Sequence, residues 1–268
     1  MVVFPNCKIN LGLNIIRKRS DGYHDLETVF YPVEIKDALE VIRSEEFKFT
    51  GSGLAVNGSV QDNLCMKAYQ LLHSKFTQLP NVQIHLHKAI PMGAGLGGGS
   101  ADGAFMLKLL NHKFQLGLPN EELIDYALQL GSDCPFFIEN KPCFATGRGE
   151  DMVAVPLDLS AYTFVLINPG IHVSTATAFS HLTPKIPAKP IKEIIEQPIE
   201  TWKDELINDF EIPVFNQHPL IAVIKQQLYD SGAAYAAMSG SGSTVFGIFN
   251  TEEIKLPEFD KRYHVVIV

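Results

Sequence analysis

The sequence predicts a two-domain protein of the α+β class, and three observations support that prediction. The chain has 268 residues, of which 46% are hydrophobic and 19% charged, so it can bury roughly three quarters of its unfolded surface and is neither disordered nor fibrous. At about 100 to 200 residues per domain, this length favours two domains. Strand and helix patterns are mixed in the first half, whereas strands accompany one clear helix in the second half.

Several predicted strands of the first half alternate apolar and polar side chains, which is the pattern of a half-buried strand. The predicted strands cover residues 8–16, 28–33, 39–42 and 82–87. His85 and His87 fall on the polar side of the last strand, so we interpret them as part of its polar face and not as metal ligands.

Three helices are predicted in the first half from apolar spacing and end signals. The first opens at residues 62–64 and extends to His73, and the second covers residues 100–112 with an apolar stripe of residues four apart. The third begins after Pro119, carries acidic residues in its first turn and ends at Gly131.

A predicted hairpin completes the first half, over residues 141–155 with its turn at 147–149. Pro156 and a polar stretch follow it. We therefore predict a domain boundary at this point, with an N-terminal domain of residues 1–156 and a C-terminal domain of residues 157–268.

The C-terminal domain is predicted to be a small antiparallel sheet with helices on one face. Its clear helix covers residues 218–230 and ends at Gly232. Its strands cover residues 162–167, 233–238, 244–249 and 264–268.

Charge and hydropathy exclude several classes of function. The 22 Lys and Arg against 30 Asp and Glu give a net charge of −8, so no overall basic field attracts nucleic acid or an anionic membrane surface. The longest apolar run, residues 161–167, is far shorter than the roughly 18 residues that span a bilayer. The first residues lack the basic and apolar regions of a signal peptide, which predicts a cytoplasmic protein.

Cysteine spacing gives no indication of a metal or redox centre. The four cysteines form no C-x-x-C pair and lie among apolar or small residues: Cys7, Cys65, Cys134 and Cys143. We predict that they are buried free thiols.

The most informative segment is residues 91–101, which read PMGAGLGGGSA. Five glycines in seven residues lie between a predicted strand and a predicted helix. The backbone amides of such a loop, together with the positive end of the helix, form an anion site, so we predict a phosphate-binding loop rather than a flexible turn.

Three known classes of phosphate-binding site can be compared with this loop: the dinucleotide-binding fold, the P-loop and the protein kinases. Gly93, Gly95 and Gly98 satisfy G-x-G-x-x-G, which keeps a nicotinamide-dependent oxidoreductase as an alternative, but no acidic residue ends a strand about 20 residues later. A P-loop is excluded because G-x-x-x-x-G-K-[ST] is absent, and a protein kinase because H-R-D and D-F-G are absent.

Four ordered motifs resemble those of the GHMP small-molecule kinases. Residues 91–101 are similar to the family's second motif in its Gly-Gly-Gly-Ser variant. Residues 6–11 (NCKINL) with 19–24 (RSDGYH) resemble its N-terminal motif, 130–137 (LGSDCPFF) its G-A-D-V-P-F segment, and 239–243 (SGSGS) its third glycine loop. The resemblance extends in order through nearly the whole chain.

The resemblance implies an N-terminal α+β domain with a left-handed β-α-β unit, a C-terminal ferredoxin-like domain and a catalytic cleft between them. The chain departs from the family between Asn250 and His264, where we expect one broken helix that contains Pro257.

The implied activity is ATP-dependent transfer of a phosphoryl group to a small-molecule hydroxyl, with Mg²⁺. By similarity, Asp133 accepts the hydroxyl proton, and Lys8 is the cation beside it that stabilises the developing charge. From the residues alone, a helix cap is the favoured interpretation of Asp133, whereas a lysine in an apolar strand needs a partner. Ser100 and Asp102 are open suggestions for the metal, whose ligands stay unknown.

The resemblance also implies two sets of binding residues. Those on the ATP side are Pro91, Met92, Gly93, Ala94, Gly95, Leu96, Gly97, Gly98, Gly99, Ser100 and Ala101, with Lys88 and Asn63 toward the adenosine. Those on the substrate side are Asn10, Tyr23, His24, Thr175, Phe179, Gly240, Ser241 and Gly242. Residues 239–243 either place amides near the substrate diphosphate or brace the ATP loop.

Tyr23 and His24 suit a cytosine base, because one offers an aromatic face and the other a hydrogen-bonding edge. Within the family, the resemblance implies cytidine diphosphate methylerythritol, an intermediate of non-mevalonate isoprenoid biosynthesis, as the substrate. Tyr23, His24 and the triple glycine argue against the substrates of other members. The alternatives are another GHMP kinase acting on homoserine, mevalonate or a sugar, and a non-catalytic nucleotide-binding module.

Overall fold

The computed structural model describes residues 1–56, 59–250 and 254–268. The strands are β1 (Val2–Val3), β2 (Asn6–Lys18), β3 (His24–Lys36), β4 (Ala38–Arg43), β5 (Lys48–Gly53), β6 (Val82–Lys88), β7 (Cys143–Thr146), β8 (Asp151–Ala154), β9 (Thr163–Asn168), β10 (Tyr235–Met238), β11 (Val245–Phe249) and β12 (His264–Ile267). The helices are α1 (Leu64–Lys75), α2 (Gly98–Phe114), α3 (Asn120–Leu130), α4 (Phe136–Glu139), α5 (Thr175–Ser180), α6 (Ile191–Ile194), α7 (Trp202–Glu205), α8 (Glu211–Gln217) and α9 (Pro219–Asp230).

The contacts within the chain divide it into two compact units. The first unit comprises Met1–Cys7, Glu34–Met92 and Gly97–Lys141, and the second comprises Lys8–Val33, Gly93–Leu96 and Pro142–Val268. The chain thus passes from one unit to the other several times. The boundary between family domains at residue 156 stays a prediction.

The first unit contains a four-stranded sheet in the order β1-β4-β6-β5. β4 is antiparallel to β1 and β6, whereas β5 runs parallel to β6 and is joined to it through α1, which makes a β-α-β unit. Alternate residues of β4 and β6, among them Leu39, Val41, Ile84 and Leu86, are buried. The predicted period of two is confirmed in both strands.

The strand β5 was not predicted from the sequence. Its six residues, KFTGSG, include two glycines and a single large apolar side chain, and none of the six is fully buried. Backbone pairing with β6 makes this segment a strand at the edge of the sheet, and no alternation of side chains announces it.

The second unit contains two four-stranded sheets, in the orders β2-β3-β7-β8 and β10-β11-β9-β12. In the second of these the pairs are antiparallel, and the order is that of a ferredoxin-like domain. Its core includes Val165 and Ile167 of β9 together with Ile224 and Leu228 of α9. The predicted antiparallel sheet with a helix on one face is confirmed.

The predicted broken helix around Pro257 is wrong for the described residues 254–263, which form no helix. Ile254, Leu256 and Phe259 pack against the core of the sheet from an irregular segment instead. Pro257 lacks the backbone amide that the interior of a helix needs, so it disfavours a helix here. The segment is held instead by the packing of its apolar side chains. Residues 251–253 lie outside the described part. Within the described ranges, no helix is long and apolar enough to cross a membrane.

Candidate active site

The glycine loop has a backbone that only glycine adopts readily. Gly93, Gly95 and Gly97 have φ angles of 64°, 79° and 67°, in the left-handed region that other residues rarely occupy. A Cβ atom on Gly95 would lie 1.9 Å from the carbonyl oxygen of Ser239. The backbone conformation itself therefore favours glycine at these positions.

Within the second unit, three consecutive loop carbonyls are held by neighbouring segments. The Ala94 oxygen accepts from the Thr244 amide at 3.2 Å, and the Leu96 oxygen accepts from the Lys8 amide at 2.9 Å. The Gly95 oxygen accepts from the Ser239 hydroxyl at 2.8 Å. The third glycine loop thus braces residues 94–95, which is one of the two roles the motif predicted for it.

Lys8 and Asn10 lie two residues apart in β2, and their side chains contact each other. Lys8 Nζ donates to Asn10 Oδ1 at 2.6 Å and lies 4.7 Å from the centre of the Phe30 ring. The Asn10 amide donates to Ser239 Oγ at 3.2 Å, and its Nδ2 donates to Thr28 Oγ1 at 3.0 Å. Lys8 is buried, so its charge is held by oriented groups and not by water.

In the first unit, the rest of the glycine loop forms the start of α2. Gly97 is the N-cap of this helix and Gly98 its first residue. A Cβ on Gly98 would lie 2.8 Å from Ile90 Cγ2, and one on Gly99 would lie 3.4 Å from Met92 Cε. The glycines here allow the helix start to approach the chain that enters the loop.

Lys88 and Asp102 lie in a buried ionic cluster beneath this helix start. Lys88 Nζ donates to Asp37 and, at 2.7 Å, to Asp102 Oδ2. Asp37 Oδ1 also accepts from the amides of Ala89 and Ile90 at 2.6 and 2.9 Å. The Lys88 side chain has no exposed surface, so the structure gives this predicted adenosine-side residue two interior partners.

Burial raises the pKa of the Asp102 carboxyl to about 8, against the lowering effect of Lys88 and with a further raising effect of Asp37. Asp102 Oδ1 is buried without a hydrogen-bond partner among the described residues. An ionised carboxylate is therefore poorly compensated at this position.

We expect replacement of Asp102 by Asn to flatten the pH dependence of stability. Between pH 3.8, the unfolded value, and about 8, the folded chain holds a proton that the unfolded chain has released, so raising the pH favours unfolding. Asn has no such proton. Denaturant unfolding at pH 5, 6.5 and 8 should show the variant gaining stability relative to the wild type as pH rises; parallel profiles would contradict the raised pKa.

Asn63 and a cavity beside β5 both belong to the first unit. Asn63 is the N-cap of α1, and its Oδ1 accepts from the Cys65 amide at 2.9 Å. A cavity of about 320 Å³ is bounded by β5, by Leu86 of β6 and by the chain that follows β5: Phe49, Gly51, Ser52, Gly53, Leu54, Ala55, Val56, Val60 and Leu86. Sequence reasoning missed this cavity because it missed β5.

Asp133 lies in the turn between α3 and α4. The helix α3 ends at its C-cap Gly131, and the N-cap position of α4 is Pro135. Asp133 is therefore the cap residue of neither helix, and its role as the base stays a prediction.

The neighbouring Cys134 is a buried free thiol, as are Cys7, Cys65 and Cys143, which confirms that prediction. Burial raises the pKa of Cys134 to about 12, although a hydrogen bond with Ser100 lowers it. The thiol is therefore neutral, and it joins the start of α2 to the Asp133 turn.

On the substrate side, Tyr23 and His24 follow a tight turn. The Tyr23 amide donates to Asp21 Oδ1 at 3.1 Å, and its carbonyl accepts from the Arg19 amide at 2.8 Å. The His24 ring stacks on the Phe179 ring, with centres 4.6 Å apart and planes 16° apart. Burial lowers the pKa of His24, which favours the neutral imidazole.

The other predicted substrate residues are joined through the third glycine loop. Thr175 Oγ1 and Ser241 Oγ are 2.9 Å apart. A Cβ on Gly240 would lie 3.4 Å from Asn10 Oδ1, and one on Gly242 would lie 3.6 Å from Val173 Cγ2. The structure thus brings Asn10, Thr175 and residues 240–242 together.

Three residues of the site were missed in the sequence. Asn208 is buried and donates to the carbonyls of Met238 and Gly240 at 2.7 and 2.8 Å, Asp37 completes the Lys88 cluster, and Arg148 contacts Tyr23. The polar pair Asn208-Asp209 within an apolar stretch was the available signal for the first.

Comparisons with known proteins agree with the motifs. Family models for the GHMP kinases N terminal domain and the GHMP kinases C terminal domain match residues 63–141 and 191–256. A 4-diphosphocytidyl-2-C-methyl-D-erythritol kinase from Bacteroides fragilis is 55% identical over 264 residues, 97% of this chain and 96% of the relative. One from Cytophaga hutchinsonii is 53% identical over 94% of this chain and 93% of the relative.

Solved structures show the same similarity in three dimensions. A crystal structure of 4-(cytidine 5′-diphospho)-2C-methyl-D-erythritol kinase has a TM-score of 0.81 and 31% identity, covering 92% of this chain and 90% of that one. The mevalonate kinase of Methanococcus jannaschii has a TM-score of 0.69 at 13% identity, covering 93% and 90%. At that identity the second similarity concerns the fold alone.

Proposed function

This chain belongs to the GHMP kinase family, and on that premise we propose that it phosphorylates the 2-hydroxyl of 4-diphosphocytidyl-2-C-methyl-D-erythritol with ATP. The observation that carries the proposal is the 53–55% identity to kinases of that name over nearly the whole chain. Family membership removes the oxidoreductase alternative, which rested on three glycines. The step belongs to isoprenoid biosynthesis, and a cytoplasmic location stays a prediction.

ATP supplies the γ-phosphoryl group that is transferred to the hydroxyl oxygen. The glycine loop fits its phosphates, because Gly93, Gly95 and Gly97, which have left-handed φ angles and no side chains, form a turn that leads directly into the start of α2. We propose that the amides of residues 93–99 and the start of α2 hold the phosphates. The cavity beside β5 suits the flat, largely apolar adenine, because Phe49, Leu54 and Leu86 are among the residues that line it. Asn63 stays a proposed residue of the adenosine side.

The described residues do not identify a magnesium site. Asp102, the suggested carboxylate, is engaged by Lys88, and no group of three His, Cys, Asp or Glu side chains in the described ranges is arranged to hold a metal ion. A requirement for Mg²⁺ stays a prediction.

Two side chains carry the proposed chemistry. The Asp133 carboxylate accepts the proton from the 2-hydroxyl as its oxygen attacks phosphorus. The Lys8 ammonium, held by Asn10 at 2.6 Å, stabilises negative charge as it develops. The bond from the γ-phosphorus to the bridging oxygen of ADP breaks, and ADP leaves.

For the substrate, we propose that Tyr23 stacks on cytosine and His24 contacts its polar edge. Thr175, Phe179 and residues 240–242 line the rest of the site together with Asn10. The contact between His24 and Phe179 supports this arrangement, because it gathers two of the proposed residues in the second unit.

The function is tested by coupled ADP release with a panel of hydroxyl substrates. We expect the cytidine substrate to exceed its uridine analogue by about tenfold or more in kcat/KM, because uracil reverses donor and acceptor at position 4 and leaves a buried partner unpaired. Methylerythritol phosphate, homoserine and mevalonate should hardly react. Comparable turnover of mevalonate or homoserine would replace the proposed substrate.

The ATP loop is tested by replacing Gly97 with Val. The φ of 67° and the need for close approach to phosphate both disfavour a β-branched side chain, so we expect a loss of ATP affinity that exceeds the loss of stability. Gly117 has a φ of 74° with open space around it, which makes Gly117→Val a matched control for backbone strain. Equal ATP binding by both variants in calorimetry would refute the loop assignment.

A further inference from the structure

The ring of Tyr23 has a charged neighbour that the mechanism does not use. Arg148 lies in the turn between β7 and β8, and its guanidinium carbon is 5.0 Å from the centre of the Tyr23 ring. This distance is within the roughly 6 Å range of a cation–π contact. Both residues belong to the second unit.

The Arg148 side chain is held in this place by its own turn. Arg148 Nε donates to Glu150 Oε1 at 3.1 Å, and the Arg148 amide donates to Glu150 Oε2. The turn is joined to the strand that follows Tyr23, because the Leu26 amide donates to the Gly147 carbonyl at 2.7 Å. These hydrogen bonds fix the turn and hold the Arg148 guanidinium beside the Tyr23 ring.

Tyr23 itself needs such support. The turn fixes its backbone through Asp21 and Arg19, but the residue is 57% exposed, which leaves its ring free to rotate unless a neighbour restrains it. A ring restrained in the free protein loses less conformational entropy when a base stacks on it.

We propose that Arg148 is a positioning residue for recognition of the nucleoside base, which it serves by holding the Tyr23 ring ready to stack. The inference rests on the proposed function, since it requires that Tyr23 contacts the base. Arg148 acts on binding of the cytidine substrate and not on phosphoryl transfer. Its effect exists only while the Tyr23 ring is present.

A double-mutant cycle tests this inference. Arg148→Met is expected to raise KM for the cytidine substrate about two- to fivefold, the range for an exposed cation–π contact, with kcat and the KM for ATP unchanged. In a Tyr23→Ala background the same replacement should have no further effect. Arg148→Lys keeps the charge and should retain most of the affinity. Calorimetry with cytidine 5′-diphosphate checks the same order of affinities directly.

Arg17 provides the matched control. It lies near the end of β2, its side chain is 74% exposed, and it is paired with Asp25. Arg17→Met therefore removes an equal charge from a side chain that is paired elsewhere, and it should leave KM unchanged. An equal effect of Arg17→Met would assign the loss to general charge and overturn the inference, as would additive effects in the cycle. An unchanged KM in Tyr23→Ala alone would refute the proposed stacking of Tyr23 on the base, and the inference would fall with it.

Discussion

Replacing Asp133 by Asn is expected to lower kcat by about 10²- to 10⁴-fold while ATP binding is retained. The amide has nearly the shape of the carboxylate but cannot accept the proton of the substrate hydroxyl. Asn keeps the size of the side chain and an oxygen that accepts hydrogen bonds, so the loss should be one of catalysis more than of folding. Steady-state kinetics at saturating substrate and calorimetry with ATP measure the two quantities separately.

Asp125→Asn is the control for this variant, because Asp125 is an exposed aspartate of α3 in the same unit. It should keep wild-type kcat and the same melting temperature. A near wild-type kcat for Asp133→Asn would transfer the role of base to another group. A large loss of stability would restore a structural role for this carboxylate.

Replacing Lys88 by Met is expected to destabilise the protein by about 3–5 kcal/mol, with a fall in Tm of about 10 °C or more. Met has a similar length but no charge, so Asp37 and Asp102 are left as buried acids without their cation. Burial is complete for the Lys88 side chain, which prevents water from replacing it. Thermal and denaturant unfolding measure the effect.

Lys67→Met is the matched control for the Lys88 variant. Lys67 and Asp62 form an exposed pair at 3.8 Å in the same unit, and loss of such a pair changes stability by less than about 1 kcal/mol. A Lys88→Met protein that unfolds like the wild type would mean that the buried ionic cluster does not exist as described. Through Asp37 and Asp102 the cluster also links the Ile90 amide to α2, so we expect this variant to bind ATP more weakly.

The sequence by itself determined the features whose cause is local. The glycine loop, the caps of α1 and α3, the alternation in β4 and β6 and the order of the four motifs follow from residue types within a few positions of one another. Positive φ angles at Gly93, Gly95 and Gly97 belong to this class, because glycine lacks the Cβ atom that keeps other residues out of this region.

Only the tertiary structure decided which distant groups meet. It pairs β5 with β6 through backbone groups, so no side-chain pattern announces that strand. It brings Asp37 to Lys88 across 51 positions and Ser239 to Gly95 across 144. It also packs apolar side chains of the segment 254–263 against the core of the sheet, where a helix was expected. In each case the deciding energy is a pairing or burial that exists only after the chain has folded back on itself, and neither partner's local sequence encodes the other.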